Sequence, residues 1–324
     1  MNGHSVRVGI VQEPPVYLNI ALTVEKLLGI CERLAEESVE IAVFPETWLP
    51  GYPVWLDEAP KACLWDYPPA KRLYRYLHEN SLEHGGSEYS VIAEAARKLG
   101  MHVIVGAHER DGGTIYNSTF TFSPDGNVYS RRKLTPTYTE RVVWGMGDGS
   151  GIFAVDSPYG AIGGLICWEH WLPLARAAMH SLDEVIHTAQ FPTVHERHQI
   201  ASRHYAFEGQ CFVLASGCVL TKVDMLAGFD SLETNDMEVR TLLDSMRDGF
   251  LMRGGSAIIA PNADYIAGPV FEISDTVVAD LDLRLQREGN LLLDTEGHYS
   301  RPDVFSLTVN TEPRENVRFS SKKN

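Results

Sequence analysis

Cysteine is scarce in this chain and thinly spread along it. The 324 residues include five cysteines, namely Cys31, Cys63, Cys167, Cys211 and Cys218. None forms a C-x-x-C pair, and their wide spacing excludes a dense disulfide framework. This usage is typical of proteins of the reducing cytosol, and it predicts a cytoplasmic location.

Long apolar runs and an excess of positive charge are also lacking. No apolar stretch is long enough to span a bilayer, and the N-terminal MNGHSVRVGIVQEPP lacks the charged and apolar segments of a signal peptide. The formal net charge of -15 argues against nucleic acid or an anionic membrane as a partner. The apolar share of 44% and the charged share of 22% are those of a soluble globular protein with ample core material.

Helical and strand patterns alternate along the chain. Apolar runs predict strands at residues 6–12, 41–46, 102–109, 161–167, 184–191, 211–217, 256–261, 276–283 and 304–309. Helical spacing predicts helices at residues 19–38, 88–100, 172–182 and 196–209. Alternating residues around a Pro-Asp-Gly turn at 124–126 predict a hairpin. The order predicts an α/β protein with a mixed sheet, one domain over residues 1–310 and a polar tail over residues 311–324.

Three stretches each place a reactive side chain after a predicted strand, beside aromatic residues, prolines or glycines. In FPETWLPGYP, Glu46 follows an apolar strand, and in LICWEHWLPLAR, Cys167 ends another. In RRKLTPTYTERVVWGMGDGS, Lys133 ends the hairpin and Glu140 follows seven residues later. These four residues are therefore the candidate site.

The chemistry of these residue types is complementary. A thiol is a weak nucleophile until it loses its proton, and a nearby carboxylate can take that proton. An ammonium group can stabilise the thiolate and then the charge that develops on a substrate. Glu46, Lys133 and Cys167 are therefore sufficient for covalent hydrolysis. Each also has a structural alternative: a surface carboxylate, a solvated lysine and a core thiol.

Other conspicuous features favour structural roles. GMGDGSG lacks the GK[ST] of a phosphate loop and does not match GxGxxG, which favours a tight turn. His195 and His198 lie one helical turn apart, but no further ligands complete a metal site. Cys211 and Cys218 flank a predicted buried strand and are expected to be core thiols. Glu169 could act in catalysis, although a hydrogen bond or ion pair near the turn is the favoured interpretation.

The motifs together resemble the nitrilase superfamily of carbon–nitrogen hydrolases, and specifically its true nitrilase branch. The resemblance extends over FPETWLPGYP, KLTPTYTERVVWGMGDGS, CWEHWLPLAR, RHYAFEGQCFV and HYSRPDVFSL, in that order. It implies a four-layer αββα sandwich, with residues 1–310 as a single carbon–nitrogen hydrolase domain. It also implies a homodimer or higher homo-oligomer, in which the helices at residues 172–182 and 196–209 meet a second copy.

The resemblance also implies roles for individual residues. Glu46 corresponds to the base, Lys133 to the electrostatic residue, Cys167 to the nucleophile and Glu140 to a supporting carboxylate. The Trp168 backbone N–H is expected to stabilise negative charge. The pocket residues that the resemblance favours are Tyr52, Trp144 and Phe191.

The implied reaction is the hydrolysis of a small-molecule nitrile by two waters to a carboxylic acid and ammonia. It runs through a cysteine thioimidate and a thioester, without a metal or an organic cofactor. The alternatives are an amidase or carbamoylase of the same superfamily, a cyanide-hydrolysing relative, and a non-catalytic scaffold with the same fold. The histidine in CWEH is of the kind seen in bacterial nitrilases acting on arylacetonitriles or cyanide.

Overall fold

A computed structural model describes residues 4–314 and residue 317, and these form two β-sheets with helices outside them. The strands are β1 (Ser5–Val11), β2 (Ile41–Val43), β3 (Leu82–Glu83), β4 (His102–Asp111), β5 (Thr114–Phe122), β6 (Val128–Arg132), β7 (Trp144–Gly145), β8 (Ala161–Ile166), β9 (Glu184–Gln190), β10 (Phe212–Ser216), β11 (Val219–Thr221), β12 (Phe250–Ile259), β13 (Tyr265–Phe271) and β14 (Thr276–Asp282). The α-helices are α1 (Ile20–Glu36), α2 (Trp55–Glu58), α3 (Pro68–Glu79), α4 (Ser87–Leu99), α5 (Pro173–His180), α6 (Glu196–Gly209), α7 (Lys222–Asp230), α8 (Met237–Asp244) and α9 (Arg284–Gly289). Short 3₁₀ turns cover Tyr138–Val142, Gly149–Gly151 and Cys167–Trp171.

The first sheet follows the order β14-β1-β2-β4-β5-β6, and β3 and β7 pair at its side. Its centre is parallel, because β2 pairs in parallel with both β1 and β4. Its margins are antiparallel, since β14 runs against β1 and the β5–β6 hairpin continues from β4. The predicted hairpin is confirmed, with Phe122 opposite Val128 beside the turn.

The second sheet follows the order β11-β12-β10-β9-β8, and β13 pairs with β12. Strands β8, β9 and β10 are parallel, whereas β12 runs antiparallel to β10. Parallel neighbours need a crossover connection, and α5 and α6 supply it on one face of this sheet. The end of β8 and the start of α5 are therefore joined only by the turn that begins at Cys167.

Apolar side chains separate the layers. Val8, Ile10 and Ile41 of the first sheet meet Ile186 and Phe212 of the second in a core between the sheets. A second core lies between the first sheet and helices that include α1 and α4. A third lies between the second sheet and α5 and α6. The layers thus follow the order helix, sheet, sheet, helix, which is the expected αββα sandwich.

Local signals set most element boundaries. The predicted helix at residues 196–209 is confirmed with those bounds, as Glu196–Gly209. Helix α5 begins at Pro173, where the missing N–H costs little. Helix α4 ends at Gly100, whose φ of 66° is the left-handed conformation that glycine tolerates.

Three predicted strands differ clearly from the structure, and the strand predicted at residues 256–261 is the second half of the longer β12 (Phe250–Ile259). The strand predicted at residues 41–46 ends at Val43; the Phe44 N–H still donates to the Ile104 carbonyl, but Pro45 has no N–H to continue the ladder. The strand predicted at residues 304–309 is wrong, because this segment is exposed and irregular. Its apolar alternation fits a half-buried strand, but a strand forms only where a sheet edge offers partners. None of the helices formed by the described residues combines the length and apolarity that a bilayer crossing requires.

Candidate active site

The structure brings the predicted residues of all three stretches together. Glu46 lies three residues after β2, and Lys133 directly follows β6, so the first sheet contributes both. Cys167 directly follows β8 of the second sheet. The site therefore forms where the ends of these strands meet.

Lys133 is buried between two carboxylates. Its Nζ donates to Glu46 Oε1 at 2.8 Å and to Glu140 Oε2 at 2.7 Å. Burial lowers the pKa of Lys133, but the surrounding acidic groups, Glu46 foremost, outweigh burial and raise that pKa above its ordinary value. Lys133 is therefore a permanent positive charge at neutral pH.

Glu46 uses one carboxylate oxygen and keeps the other free. Its Oε1 accepts from Lys133 and also from Asn117 Nδ2 at 2.6 Å. Among the described residues, no nitrogen or oxygen atom hydrogen-bonds to the buried Oε2, and the neighbouring thiol of Cys167 interacts with this carboxyl group. Burial raises the pKa of Glu46 to about 7, although Lys133 lowers it, and the Glu140 charge adds to the rise. A carboxyl group with a near-neutral pKa and a free oxygen is suited to accept and return a proton.

A glycine of the neighbouring strand permits the turn that carries Glu46. A Cβ atom at Gly106 would lie 2.3 Å from the Pro45 carbonyl oxygen and 2.8 Å from Glu46 Cα. Leu49 N–H also donates to the Gly106 carbonyl at 3.0 Å. Strand β4 thus supports the Glu46 backbone by direct contact, which only glycine allows.

Glu140 lies in a 3₁₀ turn that its own side chain helps to close. The Thr137 N–H donates to Glu140 Oε2 at 2.6 Å, and the Tyr52 hydroxyl donates to Oε1 at 2.8 Å. Lys133 shares Oε2. Because both oxygens are engaged, Glu140 is placed to hold Lys133 and the site rather than to accept a proton.

Cys167 occupies the sharp change of direction between β8 and the following 3₁₀ turn. Its φ of 53° is in the left-handed region, and its exposed fraction is 4%. Burial raises the pKa of the Cys167 thiol well above its ordinary value; the Glu46 charge adds to the rise, and Lys133 opposes it. The resting thiol therefore keeps its proton until a base removes it.

A cavity of about 460 Å³ opens over the cluster. Cys167, Glu140, Tyr52 and Trp168 line it, so Cys167 lies at the cavity wall. Its other lining residues are Val54, Asp57, Glu58, Thr137, Tyr138, Thr139, Pro192, Thr193, His195, His198, Arg247, Leu251, Met252 and Arg253. The lining is mixed, with aromatic and apolar side chains beside charges of both signs.

Two residues expected in the pocket lie behind its wall. Trp144 is buried, its Nε1 donates to His108 Nδ1 at 2.9 Å, and its ring packs against Tyr52. Phe191 is fully buried and stacks on His198 with ring centroids 4.5 Å apart. Unlike Tyr52, neither residue lines the cavity, because both rings are covered by the side chains that do.

Glu169 makes the structural contacts that the sequence favoured. Arg131 donates to both of its oxygens, at 2.8 and 3.2 Å. The backbone N–H groups of Leu134 and Ile166 also donate to it. Burial raises the pKa of Glu169, but Arg131 outweighs burial and the net pKa is lowered. Glu169 thereby ties the Cys167 turn to the segment that follows Lys133.

The remaining candidates have ordinary surroundings. Cys211 and Cys218 are buried core thiols, as predicted. His195 lines the cavity, and His198 bonds through Nδ1 to the Thr193 carbonyl. Within the described residues, no group of three or more His, Cys, Asp and Glu side chains is arranged to hold a metal ion.

Sequence reasoning missed Asn117 and Gly106. Asn117 lies in the middle of β5, in TIYNSTFTF, and asparagine is depleted in strands. The presence of a residue type that is unfavourable in strands is the local signal that could have indicated the role of Asn117. Gly106 lies within HVIVGAHERD, where an interior strand glycine signals close backbone approach.

Comparisons with known proteins find similarity over nearly the whole chain. The model of the family described as carbon-nitrogen hydrolase matches residues 7–289. The aliphatic nitrilase of Sinorhizobium fredii is 35% identical over 319 residues, which cover 96% of this chain and 97% of that protein. Nitrilase 2 of Arabidopsis thaliana is 36% identical over 318 residues, which cover 98% of this chain and 92% of that protein.

Solved structures share the fold at low sequence identity. The carbon-nitrogen hydrolase of Helicobacter pylori aligns with a TM-score of 0.66 and 18% identity, over 90% of this chain and 94% of that one. The C. elegans NitFhit protein aligns with a TM-score of 0.69 and 16% identity, over 98% of this chain and 70% of that one.

Fold and site together define the class: an αββα-sandwich hydrolase that acts on carbon–nitrogen bonds. The chain belongs to the carbon-nitrogen hydrolase family, and within it to the nitrilase branch.

Proposed function

We propose that this enzyme hydrolyses a small organic nitrile with two waters to the carboxylic acid and ammonia. The observation that carries the proposal is the buried cluster of Glu46 and Lys133, which act on the thiol of Cys167 at the wall of the cavity. The near-full-length similarity to nitrilases supports the choice of a nitrile as substrate.

The first step forms the carbon–sulfur bond. Glu46 takes the thiol proton as Cys167 sulfur attacks the nitrile carbon, and the proton passes to the nitrile nitrogen. The product is a planar thioimidate, R–C(=NH)–S–Cys167. Developing negative charge is stabilised by the Lys133 ammonium and by the Trp168 backbone N–H, in the manner of an oxyanion hole.

The second step releases ammonia. Glu46 takes a proton from water as the oxygen adds to the thioimidate carbon, which gives a tetrahedral carbon bearing sulfur, nitrogen and oxygen. Glu46 returns that proton to nitrogen, which becomes NH2, and then transfers the proton of the new hydroxyl group to the same nitrogen. The carbon–nitrogen bond breaks, the oxygen becomes a carbonyl, and ammonia leaves a thioester. A second water, activated by the same carboxylate, then cleaves the carbon–sulfur bond and releases the acid and the thiol.

The test is a mass balance of acid, amide and ammonia from one nitrile, with the matching amide as a separate substrate. No metal or organic cofactor is added, and a panel of aliphatic, aromatic and arylaceto- nitriles covers the substrate range. We expect mainly acid, equimolar ammonia and a minor amide fraction. Rapid hydrolysis of the amide without attack on any nitrile would instead identify an amidase. The matched control is the Cys167→Ala protein, which should release no ammonia.

A further inference from the structure

A buried chain of hydrogen bonds leads from the Cys167 carbonyl to Glu184, through residues that do not line the cavity. His170 Nδ1 lies 2.8 Å from the Cys167 carbonyl oxygen. His170 Nε2 lies 3.0 Å from His187 Nε2, and His187 Nδ1 lies 2.9 Å from Glu184 Oε1. The Tyr205 hydroxyl donates to the other oxygen of Glu184. The catalytic scheme uses none of these side chains.

The Glu184 side chain is tightly packed. Its side chain and those of both histidines are almost completely buried. A Cβ atom at position 163 of β8 would lie 1.5 Å from Glu184 Oε1, so only Gly163 leaves room for the carboxyl group. The histidines are also held by stacking, since the His187 and Tyr205 ring centroids are 3.7 Å apart.

The hydrogen bonds determine where the protons lie. A carbonyl can only accept, so His170 Nδ1 carries a proton and donates it to Cys167. The bare Nε2 of a neutral His170 then accepts from the Nε2–H of His187. This leaves His187 Nδ1 without a proton, facing Glu184. That last contact is a hydrogen bond only if Glu184 carries a proton, or if His187 is an imidazolium.

If Glu184 were ionised and both histidines were neutral, each hydrogen bond between Glu184 and Cys167 would run in the opposite direction. The carboxylate would accept from His187 Nδ1–H, and His187 Nε2 would accept from His170 Nε2–H. The bare Nδ1 of His170 would then face the Cys167 carbonyl at 2.8 Å, and two acceptors at that distance repel each other. The hydrogen bond from His170 to the Cys167 carbonyl thus depends on the proton that Glu184 carries.

The orientation of the Cys167 carbonyl also sets the direction of the next N–H. Across a trans peptide plane the carbonyl and the following N–H point in opposite directions. A carbonyl held toward His170 therefore directs the Trp168 N–H away from His170, and both Cys167 and Trp168 line the cavity. The left-handed φ of Cys167 needs such a restraint, because it is an unfavourable conformation for a residue with a side chain.

We propose that Glu184 is a protonated carboxylic acid, and that the chain Glu184–His187–His170 is a positioning relay that aims the Trp168 N–H by holding the Cys167 carbonyl. The effect of the relay on the reaction rate rests on the proposed function, in which Cys167 is the nucleophile. The protonation of Glu184 is independent of the proposed function.

The surroundings favour this state over an imidazolium–carboxylate pair. Burial raises the pKa of Glu184 to about 8, although the Tyr205 hydrogen bond lowers it. Burial lowers the pKa of His187 well below its ordinary value; electrostatic interactions with His180 and Arg131 lower that pKa further, whereas Glu169 opposes them. Burial also lowers the pKa of His170. A buried site without water favours the arrangement in which Glu184, His187 and His170 are all uncharged.

The protonation is tested by infrared spectroscopy at pH 7 without substrate. We expect the wild-type protein to show the carbonyl stretch of a buried carboxylic acid that Glu184→Gln lacks. Because Glu46, with a pKa of about 7, is partly protonated at that pH, the spectrum of Glu46→Gln identifies its separate band. Identical carboxylic-acid bands in the wild type and Glu184→Gln would overturn the proposal, whether or not the enzyme hydrolyses nitriles.

The positioning role is tested by comparing two variants of similar size. Glu184→Met offers His187 no donor, and losing one aimed oxyanion donor costs roughly 10²–10³ in kcat; we expect kcat to fall by at least about tenfold, with KM changed much less. Glu184→Gln can donate to His187 and accept from Tyr205, so it should restore most of the lost rate. An unchanged kcat in Glu184→Met, or no recovery in Glu184→Gln, would overturn the relay. If Glu184→Met does not fold, the Glu184→Gln rate and the infrared bands still decide.

Discussion

Lys133 Nζ lies 2.8 Å from Glu46 Oε1, and no part of either side chain is exposed. Glu140 is the second carboxylate on the same ammonium group. With both carboxylates ionised the buried cluster would carry a net negative charge, which burial penalises. Burial is the main cause of the raised pKa of Glu46, and the Glu140 charge adds to it; a near-neutral pKa suits the proposed role of taking a proton from Cys167 and returning it.

Replacing the nucleophile should abolish turnover and leave the protein folded. Cys167→Ala removes the thiol but fits a strand end, and Cys167→Ser should be almost as inactive because a hydroxyl ionises far less readily. The matched control is Cys218→Ala, another buried thiol, which should retain turnover. Peptide mass spectrometry should find a trapped substrate adduct on Cys167. An adduct on Cys211 or Cys218 instead would contradict the assignment.

Removing either charged partner should cost several orders of magnitude in kcat. Glu46→Gln cannot accept the thiol proton, and Lys133→Met cannot stabilise developing negative charge. A single oxyanion-type group is worth roughly 10²–10³ in rate. Circular dichroism checks that each variant is folded. Near-normal rates in a folded Glu46→Gln protein would exclude Glu46 as the base.

The pH dependence should report the Glu46 carboxyl group. Only the ionised form can accept the thiol proton, so kcat/KM should rise with pH through a midpoint near the pKa of about 7. A pH profile of kcat/KM with one nitrile measures this midpoint. A flat profile from pH 5 to 8 would show that Glu46 does not control the reaction.

Glu140→Gln should lower activity strongly and also move that profile. The loss of a carboxylate loosens the hold on Lys133 and Tyr52, which lowers kcat. It also removes a negative charge that raises the pKa of Glu46, so the midpoint of kcat/KM should shift to lower pH. Near-normal rates with an unshifted midpoint would mean that Glu140 has no part in the site.

We propose that the enzyme is at least a homodimer through the outer faces of α5 and α6. Leu174, Ile200 and Phe207 expose 69%, 52% and 44% of their surfaces there, and exposed apolar groups of this kind mark interfaces. Ile200→Asp should lower the mass measured by light scattering toward that of a monomer. The matched control is Val223→Asp on α7, at an exposed apolar residue away from these helices. A monomeric wild type at micromolar concentration would contradict the dimer.

Local sequence patterns were sufficient to predict those helices and turns whose bounds depend on residues close together in the chain. The helix at residues 196–209 and the Pro-Asp-Gly hairpin are confirmed because caps, turns and periodicity act over short distances. The strand predicted at residues 304–309 failed because a strand also needs a partner, which alternation does not supply. Trp144 and Phe191 lie behind the cavity wall because the depth of an aromatic ring depends on what packs over it.

The sequence by itself determined which reactive groups follow which strands: Glu46, Lys133 and Cys167 each come directly or shortly after one. Only the tertiary structure decided what these groups touch. Glu46 and Lys133 are 87 residues apart in the chain, and Tyr52 and Glu140 are 88 apart. The first sheet brings Glu46 and Lys133 together at the ends of its strands, and the stacking of the second sheet adds Cys167 to them. Burial at that place then shifts the pKa values of Glu46 and Cys167, since desolvation depends on everything packed around a group and not on its neighbours in sequence.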